Sequence, residues 1–199
     1  MPVFDPIRRC LIVRLVYDGP AFGGKTTNLR QICELFPITK RTEMYTPGAL
    51  KGRTMFFDWV ELEAGRVGAQ QLRCQLLTVP GQGERSYRRR PLLEGADGVV
   101  FVADSQVERM EANIESLDNL RINLKEQGYD LDKIPFVMQY NKRDLPNAVP
   151  VEELRKVLNP RNVTERQAVA PTGVGVFDTL KDVAKLVLTE LKRGAGGSQ

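Results

Sequence analysis

Apolar residues follow two kinds of pattern along this chain. Largely apolar runs, typical of buried strands, occupy residues 10–17, 53–62, 72–79, 97–104 and 134–140, and a further strand is predicted to end near 168–170. Helical spacing follows residue 28 and recurs after residues 105, 150 and 175. Strands that alternate with helices predict an α/β fold, in which a mostly parallel sheet carries helices on both faces.

One connection in this pattern is short. The runs at 53–62 and 72–79 are joined by a segment in which Gly65 and Gly68 favour a turn, so these two strands should be antiparallel. The predicted sheet therefore has six strands, one of them an antiparallel edge strand. A length of 199 residues suits one domain. We place that domain at residues 1–193 and expect the small-residue tail at 194–199 to be disordered.

The helix after residue 105 has apparent start and stop signals. Ser105 and Glu108 have the spacing of a capping box, and Gly128 is suited to end the helix. Its apolar stripe is predicted to face the core, and its members are Val107, Met110, Ile114, Leu117 and Leu124.

Residues 19–26 read G-P-A-F-G-G-K-T and fit the phosphate-binding pattern G-x-x-x-x-G-K-[ST]. The loop lies between a predicted strand and a predicted helix, which argues against an ordinary glycine-rich turn. Glycines let backbone N–H groups surround an anion, and the helix N-terminus adds partial positive charge. Lys25 can reach the β- and γ-phosphates and assist catalysis, and the Thr26 hydroxyl can bind Mg²⁺. The predicted nucleotide-binding residues are Gly19, Pro20, Ala21, Phe22, Gly23, Gly24, Lys25, Thr26 and Thr27.

The second motif, N-K-R-D at residues 141–144, follows the predicted strand at 134–140. The Asp144 carboxylate can accept hydrogen bonds from both N1–H and N2–H of guanine, whereas adenine lacks this donor pair. Alone, such a pattern could be an exposed charged turn. Downstream of a phosphate-binding loop it predicts that Asn141, Lys142 and Asp144 recognise guanine.

Residues 78–82 read T-V-P-G-Q where most small GTPases have D-x-x-G-Q. Together with R-T-M-F-F-D at 53–58 and N-K-R-D-L-P at 141–146, this segment resembles the MglA family. These are bacterial Ras-like GTPases that govern cell polarity in gliding and twisting motility. The match is close over residues 97–192, confined mainly to motifs over 10–82, and poor over 83–93.

The resemblance implies roles for three more residues. Thr54 resembles the threonine that binds Mg²⁺ and senses the γ-phosphate, and Gln82 resembles the glutamine that orients the attacking water. Arg53 resembles an arginine finger supplied in cis, brought in when the strand around 56–60 shifts register. An arginine beside the metal-binding threonine is also well placed to stabilise transition-state charge. The alternative for Arg53 is a solvated surface side chain.

The resemblance further implies a Ras-like fold that binds GTP or GDP with Mg²⁺ and hydrolyses GTP slowly unless stimulated. Gly81 would contact the nucleotide, and the Ala170 N–H would meet guanine O6. The switch loops would be residues 45–58 and 79–95. The expected partners are a Roadblock-type activating protein similar to MglB and GTP-dependent effectors, and the free protein is expected to be a monomer.

Three departures from the family pattern leave alternatives open. Ala21-Phe22 replaces Gly-Leu, residues 83–85 replace an aromatic pair, and R-R-R-P at 88–91 replaces a less basic segment. The arginine run is either a solvated helix face or a docking site for an acidic partner. Ala21 and Thr78 also support another function, a hydrolysis-poor module that stays bound to GTP and recruits effectors. A nucleotide kinase is disfavoured by the N-K-R-D motif.

Composition excludes several further classes of protein. The net charge is +4, with basic and acidic residues interleaved, which argues against a nucleic-acid partner. No apolar run reaches the length of a membrane span, so no direct membrane insertion is expected. Three cysteines without metal-ligand spacing favour reduced core thiols and a cytoplasmic location, with any recruitment to a pole or membrane patch made through partners. The absence of histidine excludes Ser-His and Cys-His catalysis.

Overall fold

A computed structural model describes residues 2–47, 57–80 and 86–196 of the chain. The strands are β1 (Val3–Asp5), β2 (Cys10–Asp18), β3 (Trp59–Val67), β4 (Gln70–Thr78), β5 (Gly98–Asp104), β6 (Phe136–Asn141) and β7 (Glu165–Gln167). The helices are α1 (Lys25–Leu35), α2 (Ser86–Leu93), α3 (Met110–Glu126), α4 (Val151–Leu158) and α5 (Val176–Gly196).

The sheet has the order β3-β4-β2-β5-β6-β7, and β1 pairs with β2 beside this path. Strands β4, β2, β5, β6 and β7 are parallel, and β3 is antiparallel to β4, as the short connection predicted. One core cluster includes apolar residues of α1 and α5, and the other includes residues of α2, α3 and α4. The predicted α/β fold with helices on both faces of a mostly parallel sheet is confirmed.

Strand β1 was not predicted, so the sheet has seven strands instead of six. Its pairing with β2 is antiparallel and runs from Val3 opposite Ile12 to Asp5 opposite Cys10. Strand β5 pairs with β2 only from Leu15 onward. The first half of β2 is therefore open on that side, and β1 covers it. A three-residue strand is too short to show a hydrophobic period.

The predicted capping box is wrong. Helix α3 begins at Met110, after a 3₁₀ turn at Val107–Arg109 that has no side-chain cap. The Glu108 carboxylate instead accepts hydrogen bonds from the side chains of Gln106 and Asn147. Within the predicted stripe, Val107 and Ile114 are exposed, whereas Leu117 and Leu124 are buried as predicted. The C-terminal end agrees with the prediction, because Gly128 has a left-handed φ of 78° and its N–H donates to the Lys125 carbonyl.

The C-terminal helix is longer than predicted, and the three cysteines are free thiols. Helix α5 continues to Gly196, beyond the predicted domain boundary at residue 193, and residues 197–199 lie outside the described part of the chain. Cys10, Cys33 and Cys74 are free and buried, and burial raises the pKa of the Cys74 thiol to about 12. Among the described helices, none is long and apolar enough to span a membrane.

Candidate functional site

The predicted phosphate and base motifs meet at one edge of the sheet. The phosphate-binding loop follows β2, and N-K-R-D follows β6, at the carboxyl ends of parallel strands. Strand β5 lies between them, with Asp18 opposite Phe101 and Asp104 opposite Asn141. In open α/β sheets this edge is where ligands bind.

Two glycines of the loop are required by close packing. Gly19 has φ 141°, and a Cβ there would overlap the carbonyl oxygen of Val102 on β5. Gly24 has φ 101°, and a Cβ there would overlap the Asn141 side chain. Each position combines a left-handed φ with no room for a side chain. The loop is therefore packed directly against β5 and the end of β6.

Lys25 is the first residue of α1 and is nearly buried, with 7% of its surface exposed. Its ammonium donates hydrogen bonds to the carbonyl oxygens of Gly19 at 2.7 Å and Pro20 at 2.8 Å. These bonds hold the positive charge inside the curve of the loop. A charge held there, together with the loop N–H groups, suits the binding of an anionic phosphate.

Asn141 connects the phosphate loop to the loop that contains Ala170. Its amide nitrogen donates to the Gly23 carbonyl at 2.8 Å, and its amide oxygen accepts the Ala170 N–H at 3.0 Å. The predicted contact of the Ala170 N–H with guanine O6 would require this second bond to be shared or replaced. Asp144 is exposed, as a carboxylate that receives a base must be.

Lys142 has a left-handed φ of 63° and places its ammonium 2.6 Å from Oδ2 of Asp104, a fully buried carboxylate at the end of β5. The charge pair fixes the lysine against the end of β5. Sequence patterns assigned no role to Asp104.

Asp58 is a functional candidate that the motif search did not assign. Its fully buried carboxylate accepts hydrogen bonds from three threonine hydroxyls: Thr26 at 2.5 Å, Thr78 at 2.9 Å and Thr46 at 2.9 Å. Thr78 occupies the position where most small GTPases have aspartate. Asp58, the residue directly before β3, thus supplies a carboxylate to the place where Thr78 has none. This departure at Thr78 was the signal that could have prompted a search for Asp58.

The Thr26 and Asp58 groups fit a magnesium ion. Mg²⁺ prefers oxygen ligands and usually keeps several waters, with one or two carboxylates nearby. The Thr26 hydroxyl can bind the ion while still donating its proton to Asp58, and Asp58 can hold a metal-bound water. The predicted ligand Thr54 lies outside the described residues, as do Arg53, Gly81 and Gln82. Their roles therefore remain predictions.

Two comparisons identify relatives of the chain. The ADP-ribosylation factor family model matches residues 55–187. The mutual gliding-motility protein MglA of Myxococcus xanthus is 61% identical over 181 residues, which cover 91% of this chain and 93% of that protein. The chain belongs to the MglA family of small GTPases. The predicted resemblance is thereby confirmed.

More distant relatives share the GTPase domain. Human ADP-ribosylation factor-like protein 4D is 28% identical over 145 residues, covering 66% of this chain and 67% of that protein. Elongation factor 4 of Corynebacterium diphtheriae is 27% identical over 143 residues, which are 69% of this chain and 21% of that protein. As a small GTPase, the chain binds GTP and GDP with Mg²⁺, hydrolyses GTP and acts as a switch through regulators and effectors.

In the presence of Mg²⁺, Asp58→Asn is expected to release GDP at least tenfold faster than the wild type does. Its rate should be close to that of the wild type in the presence of the chelator EDTA. The amide keeps the shape of the side chain but loses the charge that favours the cation. Release of a fluorescent GDP, with and without EDTA, measures the effect.

A second substitution provides the control for Asp58. Because the Thr78 hydroxyl is 2.9 Å from Asp58 Oδ2, the double variant Asp58→Asn/Thr78→Asp returns a carboxylate to the same place. It should recover slow, Mg²⁺-dependent release. Equal Mg²⁺ dependence in the wild type and Asp58→Asn would show that Asp58 does not act on the metal.

Proposed function

We propose that this chain is a GTP-controlled switch for cell polarity in gliding motility. The supporting observation is its 61% identity to the Myxococcus xanthus gliding-motility protein across 91% of the chain. The GTP-bound form would engage effectors, and GTP hydrolysis would release them. Recruitment to a pole or membrane patch would occur through these partners.

The proposed nucleotide site uses the predicted residues together with Asp58. Residues 19–27 and the Lys25 ammonium would bind the phosphates, and Thr26 with Asp58 would hold Mg²⁺. Asn141, Lys142, Asp144 and Ala170 would recognise guanine. The support is that these groups converge at the carboxyl ends of β2, β5 and β6.

Catalysis is assigned to Arg53, Gln82 and Lys25. Gln82 would orient the attacking water, and the Arg53 and Lys25 cations would stabilise the negative charge that develops on the transferring phosphoryl group. The proposed activator is a Roadblock-type protein similar to MglB, which would help to bring Arg53 to the nucleotide. Slow hydrolysis without this partner follows from the same arrangement.

The test combines hydrolysis and binding with a purified Roadblock-type protein from the same genome. We expect at least tenfold faster single-turnover hydrolysis in its presence, and capture of that protein by the GTP-loaded form more strongly than by the GDP-loaded form. Expression in Myxococcus xanthus cells that lack their own MglA should restore gliding. No stimulation, no nucleotide-dependent capture and no restored gliding would contradict the proposal.

A hydrolysis-poor switch is the second candidate, and Ala21 is the residue that favours it. Counting back from Lys25, Ala21 occupies the loop position whose side chain would point toward the γ-phosphate, where the family has glycine. A methyl group there would crowd the approach of Gln82 and Arg53, and displacements near 1 Å can cost about 10²-fold in rate.

Ala21→Gly is therefore expected to hydrolyse GTP at least tenfold faster, a change of about 1.4 kcal/mol in the barrier, with little effect on GTP affinity. Single-turnover hydrolysis of both forms, with saturating activator, measures it. Equal rates would mean that the methyl group is tolerated and that the protein cycles like its relatives.

A further inference from the structure

Arg109 links the phosphate-binding loop to α3. It is the residue immediately before α3, and its side chain is 30% exposed. Its Nη2 donates a hydrogen bond of 2.8 Å to the carbonyl oxygen of Ala21, although the two residues are 88 positions apart. None of the motifs of the nucleotide site includes Arg109.

Asp104 orients this guanidinium group. Its Oδ2 lies 3.7 Å from the Arg109 Nε, and its side chain is fully buried. The Asp104 backbone is held on both sides by Asn113, which accepts the N–H at 2.9 Å and donates to the carbonyl at 2.8 Å. A buried carboxylate on a fixed backbone keeps one part of the guanidinium in place while another part contacts the loop.

The contact fixes the orientation of one peptide group. In a trans peptide the carbonyl of Ala21 and the N–H of Phe22 point in opposite directions, and the described residues contain no cis peptide. With the carbonyl turned to Arg109, the Phe22 N–H points away from Arg109. In loops of this kind, backbone N–H groups surround phosphate oxygens.

The backbone at Phe22 needs support from its surroundings. Phe22 has a φ of 63°, in the left-handed region that is unfavourable for a residue with a Cβ. Strained conformations of this kind persist only where neighbouring groups hold them. The Arg109 hydrogen bond acts on the peptide directly before this residue.

We propose that Arg109 is a positioning residue that holds the Ala21–Phe22 peptide so that the Phe22 N–H faces the nucleotide phosphates. Without it, the peptide can turn and present the Ala21 carbonyl oxygen to a negatively charged phosphate, which is unfavourable. The same Asp104 Oδ2 accepts a hydrogen bond of 2.6 Å from the Lys142 ammonium. One carboxylate thus connects the phosphate loop to the guanine motif. The inference rests on the guanine-nucleotide site and not on the proposed role in motility.

The first test measures the release of fluorescent GDP in Mg²⁺. Arg109→Ala should release GDP at least tenfold faster than the wild type, and Arg109→Lys, which keeps the charge but not the planar fork, should lie between them. Arg121→Ala is the matched control, because Arg121 lies on α3 in an exposed ion pair with Asp118. It should stay within twofold of the wild type. Wild-type release from Arg109→Ala would overturn the proposal.

A second measurement separates positioning from a general loss of structure. The chain has 8 phenylalanines, so labelling with ¹⁵N-phenylalanine gives a simple amide spectrum, in which Phe22→Leu identifies the Phe22 signal. In the GDP-bound wild type we expect the Phe22 amide proton to be shifted downfield by the phosphate. In Arg109→Ala that shift should be lost, while the signals of the buried Phe101 and Phe136 are unchanged. An unchanged Phe22 signal, or equal shifts of all the signals, would overturn the positioning role.

Discussion

Arg53→Ala and Gln82→Ala are each expected to abolish stimulated GTP hydrolysis while leaving GTP affinity close to that of the wild type. Both side chains are proposed to act on the transition state, so their loss should lower the rate of the chemical step and not ground-state binding. An arginine finger contributes about 10³–10⁵ in rate in other GTPases. Single-turnover hydrolysis with saturating activator measures the loss.

The two residues should differ when the activator is left out. Gln82 is proposed to orient water in either case, so Gln82→Ala should also slow the intrinsic reaction. Arg53 is proposed to reach the nucleotide only when the partner assists, so Arg53→Ala should leave the intrinsic rate nearly unchanged. The double variant should be no worse than the more damaging single variant, because both serve one transition state.

Two controls make the Arg53 result interpretable. Arg53→Lys keeps the charge but cannot make two parallel hydrogen bonds, so it should recover only part of the stimulated rate. Arg121→Ala, which removes an exposed arginine of α3 paired with Asp118, should respond normally to the activator. An Arg53→Ala protein that also responds fully would show that Arg53 is a solvated surface side chain.

The buried parallel strands were predictable because all their residues face the core. Every residue of β5 and β6 is buried, which produces a continuous apolar run with few interruptions. Helix α4 was also predicted, because the helical spacing after residue 150 matches a helix that begins at Val151. The phosphate-binding loop was predictable from its glycines, because no side chain fits at Gly19 or Gly24.

Polar residues with structural roles explain why the face of α3 was predicted only in part. The buried side of this helix includes Asn113, Ser116 and Asn123, whereas Ile114 is 39% exposed. Asn113 is buried because its amide binds the backbone of Asp104 at the end of β5. A search for apolar periodicity treats such a residue as solvent-facing. The predicted buried face of α3 is therefore rotated about the helix axis relative to the observed one.

The part of the site around Asp58 was missed for a different reason. Its three hydroxyl partners come from α1, from β4 and from the segment before β3, so the cluster exists only after the chain has folded. A local motif search finds residues that are adjacent in sequence. Arg109 and Ala21 are 88 residues apart and were missed for the same reason.

Asp144→Asn is expected to weaken GTP and GDP binding by about 10⁴-fold. Binding sites built to hydrogen-bond a particular group of the ligand reject ligands that lack this group by about the same factor. The wild-type carboxylate is proposed to accept two hydrogen bonds from guanine, one from N1–H and one from N2–H. An asparagine side chain has one acceptor and one NH₂ group, so one guanine N–H would face a donor instead of an acceptor. Fluorescence titration with GDP and GTP measures the change.

Asp144→Asn is also expected to gain affinity for xanthine nucleotides. Xanthine has a 2-oxo group in place of the guanine amine, and the asparagine NH₂ can donate to it, so Asp144→Asn should bind XTP more tightly than GTP. Asp144→Ala is the control, because it removes the carboxylate without supplying a donor and should bind neither nucleotide well. Since Asp144 is exposed, both variants should fold. Unchanged GTP affinity in Asp144→Asn would contradict base recognition by this residue, and tight ATP binding by the wild type would reopen the nucleotide kinase alternative.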